Sequence, residues 1–215
     1  PLGLTGSTYL IYGRHYHGQL DGREVDVYIS RGPTVELRLR TTVQTRLQVV
    51  PKGSLPATVA GIFDKEPLRT IEPVLNAFSI YPIDPAWTLS LLSDPRAVDS
   101  IQALMTTGAS WAVFRRVEVQ PGEVLLYLYR SRKVFVTSIE LDAVQTWLNA
   151  LQTLAQAAER QLEPGITAQP FNATSRTSRQ KTNKILNYAM VFIIGIMPLC
   201  FIAVGVIAYF IALSN

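Results

Sequence analysis

Cysteine and histidine are scarce in this sequence, and their scarcity excludes several kinds of site. The 215 residues include one cysteine, Cys200, and two histidines, His15 and His17. A lone cysteine forms no disulfide within the chain, no Cys-based zinc cluster and no c-type haem attachment. The sequence also lacks glycine-rich phosphate-binding, nucleophile-elbow and HExxH patterns. We therefore expect a protein that is not an enzyme and holds no cofactor.

The two histidines can bind a metal ion only with help from elsewhere in the chain. On a strand, His15 and His17 lie on the same face, about 7 Å apart, because side chains alternate between faces. The single cysteine, Cys200, lies inside a long apolar segment and is not available to complete a site, and no Asp or Glu lies at a suggestive spacing. The sequence therefore predicts two exposed strand residues and no metal site.

Positive charge is in excess, but only in one short segment. The chain has 20 Lys and Arg against 16 Asp and Glu, a net charge of +4. Arg176, Arg179, Lys181 and Lys184 account for the whole excess, so the residues before them are balanced. Nucleic-acid binding needs a basic surface, and a neutral domain offers no support for it. We expect no nucleic-acid partner.

One long segment carries no charge at all. Residues 188–213 contain no Asp, Glu, Lys, Arg or His. As a helix this segment spans about 39 Å, which exceeds the ~30 Å hydrocarbon core of a bilayer. The sequence predicts a single transmembrane helix here, with a kink near Pro198.

The flanks of that segment predict its orientation. The four basic residues precede it, whereas only Ser214 and Asn215 follow it. The positive-inside rule then places the N-terminal domain in the cytoplasm and the C-terminus across the membrane, a tail-anchored arrangement. A glycosylation sequon that begins at Asn172 favours the opposite orientation, but such tripeptides often arise by chance. We follow the charges, which also suit contact with anionic lipid headgroups.

Small residues mark one face of the predicted membrane helix. Gly205, Ala208 and Ala212 are spaced i, i+3 and i+7. Small side chains let another transmembrane helix approach closely. Two interpretations stay open: a contact face for other transmembrane subunits, or a generic lipid-facing helix.

Residues 9–50 alternate between apolar and polar in the manner of antiparallel strands. The Asp21-Gly22 pair is a turn signal between two such runs. After it, apolar residues at odd positions within 35–49 predict one long half-buried strand, or two that are broken near Thr41.

Helices and a hairpin are expected in the second half of the domain. Two Asp-Pro pairs each place an N-cap residue before proline and predict helices at 85–92 and 95–107. Pro121-Gly122 predicts the turn of a hairpin, and an apolar stripe with a capping box predicts a helix at 139–162.

This order of elements predicts an α+β fold: a mostly antiparallel sheet packed by a long C-terminal helix, followed by a single transmembrane helix. We divide the chain into a soluble domain at 1–163, a polar basic linker at 164–187 and the membrane helix at 188–213.

A second basic group lies at the ends of the predicted hairpin. Its members are Arg115, Arg116, Arg130, Arg132 and Lys133. Together they form either a patch for phosphate, acidic lipid or an acidic partner, or a solvated hairpin end.

These observations favour a non-catalytic accessory or assembly subunit of a larger membrane protein complex, whose soluble domain docks on the cytoplasmic face. Its expected partners are the lipid bilayer and other transmembrane subunits. Two alternatives stay open. One is a membrane-anchored domain that binds lipid or ligand through the basic hairpin residues, and the other is a membrane-anchored enzyme with an unrecognised site.

Overall fold

A computed structural model describes residues 3–9, 13–30, 34–54, 66–69, 72–108, 112–130 and 141–168. All of them belong to the first of two compact units, Pro1–Phe171, and the second unit, Asn172–Asn215, lies outside the described residues. Among the described residues, no helix combines the length and the apolar character needed to cross a membrane. The apolar segment at 188–213 is outside that set, so its helix stays a prediction.

The described strands form one sheet in which every neighbouring pair is antiparallel, in the order β1-β2-β3-β4-β8-β7-β5-β6. The strands are β1 (Thr5–Tyr9), β2 (Gly13–Leu20), β3 (Arg23–Ile29), β4 (Thr34–Arg40), β5 (Leu47–Pro51), β6 (Phe78–Pro82), β7 (Ala112–Gln120) and β8 (Glu123–Arg130).

The β2–β3 turn sets the register of that hairpin. Asp21 has φ 48° and Gly22 has φ 78°. Two consecutive left-handed residues form the type I′ turn that matches the twist of antiparallel strands. A two-residue loop pairs Leu20 with Arg23, and every later pair follows from that one. The turn signal in the sequence is confirmed.

The alternating run at 35–49 is two strands, because the chain leaves the sheet after Arg40. β4 pairs with β3 and β8, whereas β5 lies between β7 and β6. A strand that moves to a new place in the sheet must break, and the break begins at Thr41, where the sequence suggested it.

Among the described residues, the helices are α1 (Pro85–Leu92), α2 (Pro95–Thr106) and α3 (Leu141–Glu159), and a 3-10 turn spans Pro73–Ala77. The Asp84 carboxylate accepts the Trp87 N–H and the Asp94 carboxylate accepts the Arg96 N–H, each at 3.0 Å. Both predicted N-caps are confirmed. The predicted capping box of the long helix falls within 131–140, outside the described residues.

One face of the sheet is covered by helices. α3 contacts β4 and β8, and α2 contacts both β7 and α3. The apolar stripe of α3 is buried, with Trp147, Leu151 and Leu154 fully inaccessible. The strands contribute alternate residues to the same core, among them Leu37, Leu39, Val49, Val119, Leu126 and Leu128. The α+β class, the antiparallel sheet and the packing of a long helix on it are therefore observed.

Candidate functional site

The face of the sheet opposite the helices is polar, and its ionisable side chains come from five adjacent strands. We call this surface the polar face. Its members include His15, His17, Asp26, Tyr28, Glu36, Arg38, Arg116, Glu118, Glu123 and Tyr127, which lie across from one another in the strand register.

Two histidines and one aspartate meet on this face. His15 Nε2 lies 2.7 Å from Asp26 Oδ1, and His17 Nδ1 lies 3.0 Å from the same oxygen. One ligand atom from each residue falls within 4.8 Å of the other two. Asp26 is 4% exposed, whereas the His15 and His17 side chains are 25% and 51% exposed. The cluster thus has a buried carboxylate and an opening beside His17.

The strand register explains which ring nitrogen each histidine uses. His17 is directly opposite Asp26 across the β2–β3 pair, so its near nitrogen, Nδ1, reaches the carboxylate. His15 is opposite Tyr28 and therefore diagonal to Asp26, about 7–8 Å away between backbones. Only its far nitrogen, Nε2, covers that distance.

Neighbouring side chains hold the His15 ring in place. The rings of His15 and Tyr28 are parallel, 1° apart in plane, with centroids 4.3 Å apart. The Arg38 guanidinium lies 5.8 Å from the Tyr28 centroid, and Arg38 pairs with both Glu36 and Glu123. The positive charge that faces Asp26 from β4 is therefore offset by two carboxylates.

Sequence reasoning missed Asp26 as the third member of the cluster. The signal was present: a two-residue turn at 21–22 pairs residue 20 with 23 and therefore residue 17 with 26. Spacing along the chain does not reveal such a partner, whereas register counted from the turn does. The sequence predicted no metal site, yet the fold brings together three residues, His15, His17 and Asp26, that could hold a metal ion.

Arg115 and Arg116 of the predicted basic patch point to opposite faces of β7. Arg115 is 9% exposed and donates to the carbonyls of Leu104, Thr107 and Gly108 at the end of α2. Burial lowers the pKa of Arg115. Its guanidinium fastens α2 to the sheet and does not face a surface ligand. The sequence contained a sign of this inward orientation, because Arg115 lies on the same strand face as Val117 and Val119, which are both buried.

Arg116 lies on the polar face, where it is already paired. Its Nε is 3.4 Å from Glu118, and its guanidinium is 5.0 Å from the Tyr127 centroid. Burial raises the pKa of Glu118, although Arg116 acts in the opposite direction. Arg130 ends β8, and its side chain, together with Arg132 and Lys133, lies outside the described part of the chain. The basic patch, with Arg115 removed from it, stays a prediction.

The remaining predicted site residues lie outside the described part of the chain. They are the headgroup and topology residues Arg176, Arg179, Lys181 and Lys184, and the helix-packing residues Gly205, Ala208 and Ala212.

A groove of about 410 Å³ lies at the other side of the domain, where Val43, Trp87 and Glu159 are among its lining residues. Glu159 binds Arg23 through two contacts of 2.6 Å and also accepts from Thr41 and Thr42. The hydrogen bond from Arg23 is the main reason that the pKa of Glu159 falls to about 2. This carboxylate therefore joins elements of the fold.

No protein-family model matches the chain, and no curated protein matches its sequence. Among solved structures, the crystal structure of the mycobacterial trehalose monomycolate transport factor A, TtfA, is partly similar. The TM-score is 0.44 at 14% sequence identity, and the matched region covers 71% of this chain and 75% of that chain. A likeness of this size assigns neither a family nor a function.

Proposed function

We propose that the chain is a non-catalytic accessory or assembly subunit of a membrane protein complex, held in the bilayer by one transmembrane helix. The observation that carries this proposal is the uncharged segment at 188–213, preceded by four basic residues. Its helical length of about 39 Å exceeds the ~30 Å hydrocarbon core, and the basic flank supports a cytoplasmic position for the folded domain.

The described residues of the folded domain form an apolar core among themselves. The sheet residues Leu37, Leu126 and Leu128 pack with Trp147 and Leu151 of α3, and all five are fully buried. Because the domain has a core of its own, we infer that the proposed membrane helix can serve contacts with other proteins. This supports a helix with a binding role in addition to its role as an anchor.

The small-residue face supplies the proposed contact. At 100° per residue, Gly205, Ala208 and Ala212 fall within about 60° of one another around the helix. Ala203 lies about 160° from Gly205, on the opposite side. The chain therefore contains a matched control: the same Ala→Leu change, in the same helix, on the other face.

The test is photo-crosslinking in native membranes with the full chain. A photoreactive residue at position 208 should form an adduct with a different membrane protein, and the same residue at 203 should not. Replacement of Gly205, Ala208 and Ala212 with Leu should abolish co-purification of that protein in mild detergent, while Ala203→Leu should preserve it, because only the first set blocks close approach.

Two results would contradict the proposal. A chain that migrates as a monomer in mild detergent and forms no adduct at 208 has no transmembrane partner. An adduct of twice the chain's mass identifies a second copy, and such a homodimer is not an accessory subunit of another protein.

The competing hypothesis is a membrane-anchored domain that binds an anionic lipid or ligand. Two of its proposed binding residues are already engaged within the domain. Arg115 is buried and donates to the Thr107 carbonyl, and Arg116 is paired with Glu118. Changing Arg130, Arg132 and Lys133 to Ala tests whether the remaining basic residues bind an anionic ligand. Loss of binding to vesicles that contain acidic lipid, with retained co-purification of the partner, would favour the competing hypothesis for the domain.

A further inference from the structure

We propose that His15, His17 and Asp26 bind one divalent transition-metal ion of the Zn²⁺ type and leave one coordination position open. The proposal concerns the folded domain alone. It stands or falls independently of the membrane-subunit function.

The donor set is the first support. Imidazole nitrogen and carboxylate oxygen are common ligands of Zn²⁺ and related divalent ions. Sites with three protein ligands keep a fourth position for water or another ligand, whereas closed structural sites use four. His17 is half exposed, so the open position would face solvent on the polar face.

The distances are the second support. In a tetrahedral site with metal–ligand bonds of about 2.0–2.1 Å, neighbouring ligand atoms are about 3.3 Å apart. The two imidazole nitrogens lie 2.7 and 3.0 Å from Asp26 Oδ1. Each contact needs to open by less than about 1 Å to admit the ion. The larger of these two changes falls at the His15–Asp26 contact, and rotation of the half-exposed His17 ring can supply the smaller one.

The structure around the ligands also supports a metal site. Asp26 lies on β3, which is paired on both sides, so its backbone position is fixed by β2 and β4. The His15 ring is held parallel to Tyr28. A site built on paired strands with a packed ligand ring loses little freedom when a metal binds.

The proton balance is simple. Each neutral imidazole carries one N–H, and in the metal-free cluster that N–H is directed at the Asp26 oxygen where the ring acts as donor. When the metal binds His15 Nε2 and His17 Nδ1, each ring carries its proton on the other nitrogen. Neutral rings release no proton, and the carboxylate coordinates in its charged form.

The experiment uses the full chain, purified in detergent with a histidine-free tag and stripped with a chelator. Zn²⁺ is titrated against a chromophoric chelator, and Co²⁺ is titrated while visible absorption is recorded. We expect one ion per chain for both metals. The Co²⁺ spectrum should show nitrogen and oxygen ligands in a four-coordinate site, and Zn²⁺ should raise the thermal unfolding temperature.

Two ligand variants and one matched control complete the test. Asp26→Asn and His17→Gln should each weaken Zn²⁺ binding by at least about 100-fold, since changes outside the ligand set alone weaken it by about 10- to 100-fold. Glu24→Gln removes the same charge from the same face of β3, two residues away, and should bind as the wild type does.

The proposal is overturned if the wild-type chain fails to bind one ion, or if Asp26→Asn binds as tightly as the wild type. It is also overturned if Glu24→Gln loses as much affinity, because the effect would then be general charge on the polar face. If Asp26→Asn does not fold, His17→Gln decides alone, since His17 is half exposed.

Discussion

Glu159, at the end of α3, illustrates how much one side chain contributes to this fold. Its carboxylate accepts from Arg23 on β3, from the Thr41 hydroxyl at 2.8 Å and from the Thr42 N–H at 3.1 Å. One residue therefore joins the long helix to the sheet and to the segment between β4 and β5. All of these donors bind the charged form, which is why the pKa of Glu159 falls to about 2.

The contribution of Glu159 to the stability of the fold depends on pH. The pKa of Glu159 is depressed in the folded state, so its contribution to stability is complete above the unfolded value of about 4.3 and is lost as pH falls toward about 2. Glu159→Gln should reduce the free energy of unfolding by about 2 kcal/mol at pH 7. The difference from the wild type should shrink by pH 3. Urea unfolding followed by tryptophan fluorescence measures both.

Glu163→Gln is the control for this pH series, because Glu163 is exposed four residues further along the chain. Its effect should stay within about 0.5 kcal/mol at every pH. A difference between Glu159→Gln and the wild type that does not change between pH 7 and pH 3 would contradict the assignment.

At the scale of elements, the two Asp-Pro helix starts look alike in sequence and differ in the fold. Asp94 accepts from Arg96 at an accessible helix start. Asp84 is 4% exposed, and its second oxygen also accepts the Ile166 N–H at 3.0 Å, from the segment after α3. The backbone N–H groups of Trp87 and Ile166 lower the pKa of Asp84. Asp94 therefore caps only its own helix, whereas Asp84 caps α1 and also binds the segment that follows α3.

The paired substitutions Asp84→Ala and Asp94→Ala test that difference. Loss of the half-buried Asp94 cap should reduce the free energy of unfolding by about 1 kcal/mol. Loss of the buried cap should reduce it by about 2–4 kcal/mol, because two backbone donors are left unsatisfied. Chemical unfolding of both variants gives the comparison, and equal effects would show that the Ile166 contact adds nothing.

At the scale of the whole molecule, charge is segregated along the chain. Its entire net charge of +4 is accounted for by four residues at 176–184, directly before the apolar segment. The orientation expected from that flank can be measured because Cys200 is the only cysteine. Cys200→Ala yields a cysteine-free chain in which single cysteines report their side of the membrane.

A membrane-impermeant maleimide should label Ser214→Cys in intact cells and Ser178→Cys only after the cells are opened, because we expect the basic flank to stay in the cytoplasm. The cysteine-free chain is the background control. The reverse pattern would place the folded domain outside and make the sequon at Asn172 usable.

Local signals predicted most individual elements. The Asp21-Gly22 turn, the Asp84 and Asp94 caps and the stripe of α3 depend on neighbours within a few residues, and all four are observed. The order of strands was not predictable in the same way. Placement of β5 between β6 and β7 depends on contacts between segments that are far apart in the chain.

The α+β class, the hairpin turn, the helix starts and the position of the charge excess can be read from the order of amino acids, because each depends on composition or on neighbours along the chain. Which residues meet depends on the fold. The fold brings Asp26 against His15 and His17, turns Arg115 inward to carbonyls at the end of α2, and joins Glu159 to Arg23, 136 residues away. Side-chain chemistry is readable from sequence, whereas proximity is set by strand register and by the packing of helices on the sheet.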